Sequence, residues 1–308
     1  MRFNNISYII PAYNCAETII ESIDSIIDGN VSDGDEIVIV NDCSTDNTAE
    51  TINELNLKYS YIKVLHHVRN KGGAAARNTA VENCTNDIVF CLDSDNILAP
   101  HSVKALREHL LLSGADIAAF EELHYFNTVK ECVTHKWKFR NGLITLEDCL
   151  AGPITPGASG NYLYTKESWR KAGGYPEFAG ALDAWGFGFR QLATGSRMTV
   201  MPESFYYHRY GHDSYWMRDA RKGMMSLTAL QILIPFIDLI DENDVDYIMS
   251  REGRYNWFSR MKERNIRLKS GAIGNVGTVI NQSCDGSESD CNLIMNLLRK
   301  LNKFWSNN

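Results

Sequence analysis

The sequence predicts an α/β fold built on a mostly parallel sheet, and three observations predict it. Short apolar runs alternate with helical patterns over residues 1–112, and each run stops at a polar or turn residue. One run, Ile88 to Leu92 in "DIVFCLDSDNIL", ends in two carboxylates, Asp93 and Asp95, a single residue apart. Alternation at this spacing implies βαβ units, and in such sheets ligands bind beyond the carboxyl ends of the strands.

The elements follow in order. Ile6 to Ile10 is an apolar run that Pro11 is expected to stop, and Asn14 with Glu17 three residues later reads as a capping box. The helix it opens carries Ile19, Ile20, Ile23, Ile26 and Ile27 on one face and ends at Asp28-Gly29. Ile37 to Val40 is a second strand, Ser44 to Lys58 a second helix, Ile62 to Leu65 a third strand and Gly72 to Asn83 a third helix; Ile88 to Leu92 is the fourth strand. This topology lines up Pro11 to Asn14, Asn41 to Ser44, Arg69 to Arg77 and Asp93 to Asn96 along one edge. Beyond Ala115 the pattern loosens into hairpin signals over Ile117 to Phe126 and Thr128 to Trp137, then the turn-rich stretch "AGPITPGASGNYLY" at 151–164. Leu182 to Thr194 reads as a short helix ended by Gly195, and Ser204 to Tyr207 as a strand. After Ser214 the chain is helical, with a polar linker near 280–290 and a last helix in "CNLIMNLLRKLNKFW".

Composition narrows the classes of partner. The chain of 308 residues is long enough for one large α/β domain, and a net charge of −7 without a basic tract argues against nucleic acid. The eight cysteines lack the close pairs of a zinc site and read as reduced structural thiols. The start MRFNNISYIIPAYN has no basic segment followed by a long apolar one, and no run of about 18 apolar residues occurs, so the expected location is the cytoplasm.

Two carboxylates at the end of a buried strand repel unless a positive group lies between them, and a divalent cation is the simplest such group. Asp42, ending the strand in "VIVNDCSTDNT", can accept the N3 hydrogen of a uracil or thymine ring; equally, Asp42, Ser44 and Asp46 can cap the next helix. "RNKGGAAARNTA" puts two glycines and small residues at a helix start, where backbone N–H groups and the helix dipole favour phosphate, with Arg77 one turn later. The stretch is not the glycine fingerprint of nicotinamide-binding folds, which argues against an oxidoreductase.

Taken together, "IIPAYN", "VIVNDCSTDNTAE", "NKGGAAARNTA", "LDSDN", "GGYPEF" and "FGFRQLATG" resemble family 2 of the glycosyltransferases, a group with the GT-A fold that uses nucleotide-diphospho-sugars. The resemblance covers about residues 5 to 215. It implies a Rossmann-like sheet flanked by helices, with a nucleotide-sugar-binding half over 1–112, an acceptor-binding and catalytic half over 113–215, and a helical extension over 216–308. It implies a UDP-sugar donor contacted by Pro11, Tyr13, Asp42, Arg77, Asp93, Ser94 and Asp95. It also implies Mn2+ or Mg2+ held by Asp95, with Asp93 assisting through the ribose or a water, and transfer with inversion to a saccharide or lipid-linked acceptor. Such a cation would neutralise charge growing on the departing diphosphate.

A histidine often completes the metal site in this fold. "YYHRYGHDSYW" offers His208 first and His212 second, although a histidine among tyrosines also has a structural reading. Aligned through Trp185 and Arg190, the family's usual base falls on Ala184 and the acid before it on Asp183; a shift of one residue at a short helix start aims Asp183 into the site. Asp183 is therefore the expected base, with Glu177 in "GGYPEF" second, and an N-cap is the other reading of Asp183. Trp185 is either a wall for the sugar or a plug of the core. Ala184 and Asn41, where the family often has acids, favour a second class of function, a catalytically silent subunit that binds nucleotide-sugar or polysaccharide. In the terminal helix, Leu293, Ile294, Leu297, Leu298, Leu301, Phe304 and Trp305 share one face, with Arg299, Lys300 and Lys303 on or beside the other. Residues 291–305 thus suit either the inner face of the cell membrane or a protein surface.

Overall fold

The structure, a computed structural model, describes residues 5–127, 135–151, 160–210, 225–250 and 252. The chain begins with four strands and three helices in strict alternation: β1 (Ile6–Ala12), α1 (Ile19–Ile27), β2 (Glu36–Asn41), α2 (Thr48–Lys58), β3 (Ile62–His66), α3 (Gly73–Glu82) and β4 (Ile88–Cys91). A short β5 (Ile97–Leu98) and α4 (Ser102–Ser113) lead to the long β6 (Ile117–Phe126). Then come β7 (His135–Lys138), β8 (Gly142–Ile144), α5 (Leu146–Ala151), β9 (Tyr162–Thr165), α6 (Lys166–Lys171), α7 (Asp183–Ala193) and β10 (Met198–Arg209). Two further helices, α8 (Met225–Leu233) and α9 (Glu242–Met249), flank a 3-10 turn over Ile234–Leu239.

Strand order is β3-β2-β1-β4-β9-β6-β10-β5, with β7 on β6 and β8 on β10. The first four strands are parallel; β9 then joins antiparallel to both β4 and β6, so the second half of the sheet is mixed. Register levels the carboxyl ends: Ala12 lies opposite Asn41 and Asn41 opposite His66, while Ile9 lies opposite Cys91. The residues that follow each strand therefore emerge side by side, as expected for a parallel ligand edge. Tyr8, Phe90, Phe120 and Tyr206 form a chain of ring contacts at 5.9, 6.1 and 5.7 Å through the core. Aromatic pairs at such distances add to the area they bury.

Local details depart from the expectations. Pro11 does not stop β1 but sits inside it, opposite Val40. The reason is geometric: Ile9 accepts from Leu92 on the β4 side and Ala12 from Asp42 on the β2 side, so alternation turns the Pro11 nitrogen toward β4, whose ladder has already ended. The capping box is absent. Thr18 is the N-cap of α1 and caps with no side-chain hydrogen bond, while Asn14 Oδ1 accepts from the Thr45 N–H at 2.8 Å and thereby ties the β1 and β2 loops together. Ile19, Ile23 and Ile26 are buried, whereas Ile20 faces outward. The second helix starts at Thr48, not Ser44, because Ser44 serves the loop: its N–H donates to Asn41 and its hydroxyl accepts from Asn14. The expected hairpin on β6 has β7 as its described arm. Ile232 of α8 closes on Gly186 of α7, and in the 3-10 turn that follows, Phe236 meets Phe189 at 5.2 Å. Most of the loop 151–164, the linker near 280–290, His212 and the helix 291–305 lie outside the described residues.

Candidate active site

The first node forms where β2 ends. Asp42 is buried, and its carboxylate accepts the Lys71 N–H at 2.9 Å, the Gly72 N–H at 2.7 Å and His67 Nδ1 at 2.7 Å. The other His67 nitrogen meets the Thr79 hydroxyl at 3.0 Å on α3. A carboxylate offers about four acceptor positions, so roughly one remains for a ligand. Asp42 does not cap α2. That task falls to Asp46, whose carboxylate accepts from the Thr48 N–H and hydroxyl at 3.0 and 2.6 Å. Asp42 instead shapes the Arg69–Gly72 loop, and His67, absent from the expected set, is its buried partner. The only sequence signal for His67 was a histidine directly after β3, level with the strand-end acid.

The second node is Arg77. Its guanidinium bridges two carboxylates, with one Nη at 2.5 Å from Asp183 and the other at 2.6 Å from Asp93. The face of the guanidinium lies 5.7 Å from the centre of the Tyr175 ring. Arg77 therefore does not stand open toward phosphate, because both ends of its fork are taken. Burial alone would lower its pKa, but Asp183 and Asp93 outweigh burial and hold it well above the usual value. Burial pushes the Asp183 carboxyl above the usual carboxylate range; Arg77 draws it back and the Asp93 charge raises it again. The start of α3 must pass close by. A Cβ on Gly73 would sit 2.9 Å from the Arg77 Nη and 3.4 Å from the Asp183 oxygen, so glycine is what admits the pair.

Asp93 is held from a second side. Its N–H donates to Asn161 Oδ1 at 2.7 Å, and Asn161 Nδ2 donates back to its carboxylate at 3.0 Å and to the Tyr206 hydroxyl at 3.2 Å. Asn161 is fully buried and was not expected from the sequence; its place inside the turn-rich stretch was the only hint. With one oxygen on Arg77 and the other on Asn161, Asp93 makes a poor assistant to a cation.

The Ser94–Asn96 turn is stapled to the sheet. Ser94 O accepts from Thr18, and Asp95 O accepts from Arg209 Nε at 3.0 Å; Arg209 also pairs with Glu21 at 2.5 Å. Arg209 is thus a structural cation. His208 packs edge-on to Tyr125 and Tyr206 at 5.2 and 6.1 Å. One step along the β5–β10 register brings it opposite Asn96, beside Asp95. Among the described residues no three His, Cys, Asp or Glu converge as a metal cluster, so the expected trio of Asp93, Asp95 and His208 is not brought together. Trp185 plugs the core: it is 7% exposed and stacks on Phe189 at 5.6 Å, which corrects its reading as a sugar wall. Glu177 is exposed and, with Arg69, Asn70 and Lys71, lines a cleft of about 450 Å3 beside the Asp42 loop. Tyr13, 45% exposed, follows β1 on the same edge, where Pro11 is half-buried.

A levelled parallel edge that carries a buried Asp–Arg–Asp bridge, extended by a mixed half-sheet, places the protein in the GT-A class of α/β proteins. A model of the family "Glycosyl transferase family 2" matches residues 7–172, more than half of the chain, and the chain belongs to that family. Glycosyltransferase GlyG of Streptococcus pneumoniae is 29% identical over 121 residues, 39% of this chain and 40% of the relative. Chondroitin synthase of Pasteurella multocida is 41% identical over 106 residues, 34% of this chain and 11% of the relative. The chain thus spans two fifths of the length of one and about a tenth of the other. A crystal structure of S. aureus TarS 1–349 in complex with UDP-GlcNAc superimposes with a TM-score of 0.57 at 19% identity, covering 83% of this chain and 75% of that one. That likeness is one of fold.

Proposed function

We propose that the chain is an inverting glycosyltransferase that moves a hexosyl or N-acetylhexosaminyl group from a UDP-sugar to a hydroxyl of a saccharide or lipid-linked acceptor, in the synthesis of surface polysaccharide or glycoconjugate. The observation that carries this reading is the Arg77 bridge. It sets Asp183, a buried carboxylate with a raised pKa, on the same guanidinium as Asp93 at the carboxyl edge of the sheet. A base that strips a hydroxyl proton works best with a pKa above that of an ordinary carboxylate. Arg77 holds one oxygen of Asp183 and the Ala184 N–H donates to the other at 2.6 Å, so the proton is accepted by a remaining lone pair of that second oxygen. As the acceptor oxygen attacks the anomeric carbon from the face opposite the diphosphate, the C1–O bond to UDP breaks and the proton passes to Asp183. A fold neighbour crystallised with UDP-GlcNAc supports a UDP-sugar as donor, and relatives named chondroitin synthase support a polysaccharide product.

The chemistry of the residues fits a divalent cation in a reduced form. Asp95, on its stapled turn, and His208, on the β10 strand that pairs with β5, would hold Mn2+ or Mg2+, and diphosphate oxygens and water would complete the shell. The ion supplies charge compensation for the diphosphate. Purified protein with manganese should release UDP from a UDP-sugar; chelator or Asp95→Asn should reduce that release to background while the fold is retained. Release that ignores both changes refutes the metal reading, and no release from any UDP-sugar by the wild type supports the silent-subunit reading that Ala184 favours.

Asp42 is proposed to meet the uracil imide with its remaining acceptor position while it orders the Arg69–Gly72 loop. Asp42→Ala should weaken UDP binding by about 1–3 kcal/mol, the scale of a lost charge-assisted hydrogen bond. Calorimetry with UDP checks this, and unchanged affinity would remove Asp42 from the donor site.

A further inference from the structure

Asn78, next to Arg77 on α3, has no part in the mechanism above, yet its amide makes all four hydrogen bonds open to it. Oδ1 accepts the Tyr175 N–H at 2.8 Å and the Trp169 indole N–H at 3.1 Å. Nδ2 donates to the Tyr175 carbonyl at 3.0 Å and to Glu177 Oε1 at 3.3 Å. Both partners of Oδ1 can only donate and both partners of Nδ2 accept, so the amide fits in one orientation. It grips the N–H and C=O of the same residue, as a neighbouring strand would. The turn it grips is built for that approach: Gly174 has φ +75, and a Cβ there would lie 2.8 Å from the Asn78 oxygen.

This amide joins the donor-side helix to the wall of the cleft. We propose that Asn78 is a positioning residue that aims the Glu177 carboxylate into the cleft shared with Arg69, Asn70 and Lys71, where it accepts hydroxyls of the bound sugar. The proposal rests on the transferase reading. Glu177 suits the task because a neutral amide orients its carboxylate without neutralising it, whereas Arg77 and Asn161 occupy both oxygens of Asp93. Its second oxygen thereby keeps its capacity for hydroxyl donors.

The test combines Asn78→Asp, Glu177→Gln and the double variant. Asn78→Asp keeps the shape but turns a carboxylate toward the Tyr175 carbonyl and Glu177. The expected result is UDP affinity close to wild type and kcat/KM for UDP-GlcNAc turnover down about 10- to 100-fold, the scale of a misplaced contact. Amide exchange should be faster over 175–182, and the double variant should do no worse than Glu177→Gln alone. Independent, multiplying losses, or unchanged exchange, overturn the proposal. Should Asn78→Asp fail to fold, Asn78→Ser, which retains a hydroxyl, must give the same ordering. If wild type turns over UDP-sugar and Asn78→Asp matches it, only the positioning role falls. If wild type binds UDP but turns over no UDP-sugar, the transferase reading falls and takes this role with it.

Discussion

Arg77→Met is expected to lower stability by about 3–5 kcal/mol, the typical cost of removing one partner from a buried ionic cluster. The side chain of Asp183 is only 6% exposed and that of Asp93 26%, so without the guanidinium two carboxylates face each other across a poorly solvated space. Desolvation and mutual repulsion then act together, and one of the pair must take up a proton to fold. The cause can be isolated by removing one of the charges. Arg77→Met combined with Asp183→Asn should regain much of the lost stability without regaining turnover. Arg77→Lys should fall between, since a single ammonium cannot reach two carboxylates as a fork does. Urea denaturation of the four proteins checks the order, and a methionine variant as stable as wild type would show that the bridge contributes nothing to the fold.

Asp183→Asn should lower kcat by about 10²–10⁴-fold, the usual worth of a positioned base. It should leave UDP affinity close to wild type, because its hydrogen bonds go to Arg77 and the Ala184 N–H and none goes to Asp42. The pH dependence has a definite sign. Burial raises the Asp183 pKa, Arg77 offsets part of that, and the base works only when ionised. Turnover should therefore fall, as pH drops, at a higher pH than an ordinary carboxylate would give, and this acid limb should vanish in the asparagine variant. Steady-state kinetics across pH with calorimetric UDP binding decides the matter. A variant with wild-type turnover would pass the role of base to Glu177.

What could be read in the sequence was local. The strands announced themselves because runs such as Ile37 to Val40 and Ile88 to Leu92 are buried on both faces, and burial on both faces leaves an unbroken apolar signature. The acids at strand ends, Asp42 and Asp93, were legible for the same reason: a charge at the end of such a run has to sit at an edge. Their partners were not legible. Asp42 reaches His67 across 25 residues, Asp93 reaches Asn161 across 68, and Arg77 reaches Asp183 across 106. No periodicity encodes pairings at those separations; they arise from strand order, above all from β9 inserting beside β4. Trp185 failed as a wall because a helix face cannot be assigned inward or outward until its neighbour α8 is known. Pro11 failed as a strand stop because the rule against proline concerns a ladder position, and its ladder neighbour had already departed.

The helix that begins with Asp183 starts eleven residues beyond the family match, which ends at residue 172, and it rests on a floor contributed later still. A Cβ on Gly186 would lie 2.8 Å from Ile232, and Phe236 closes against Phe189. The segment recognisable by descent and the segment able to hold its shape are therefore different lengths of chain. The match over 7–172 alone omits both the candidate base and the residues beneath it. The later residues therefore support the helix that carries Asp183 from outside the matched segment, so a change at Ile232 or Phe236 can move Asp183 without touching any residue of the strand edge.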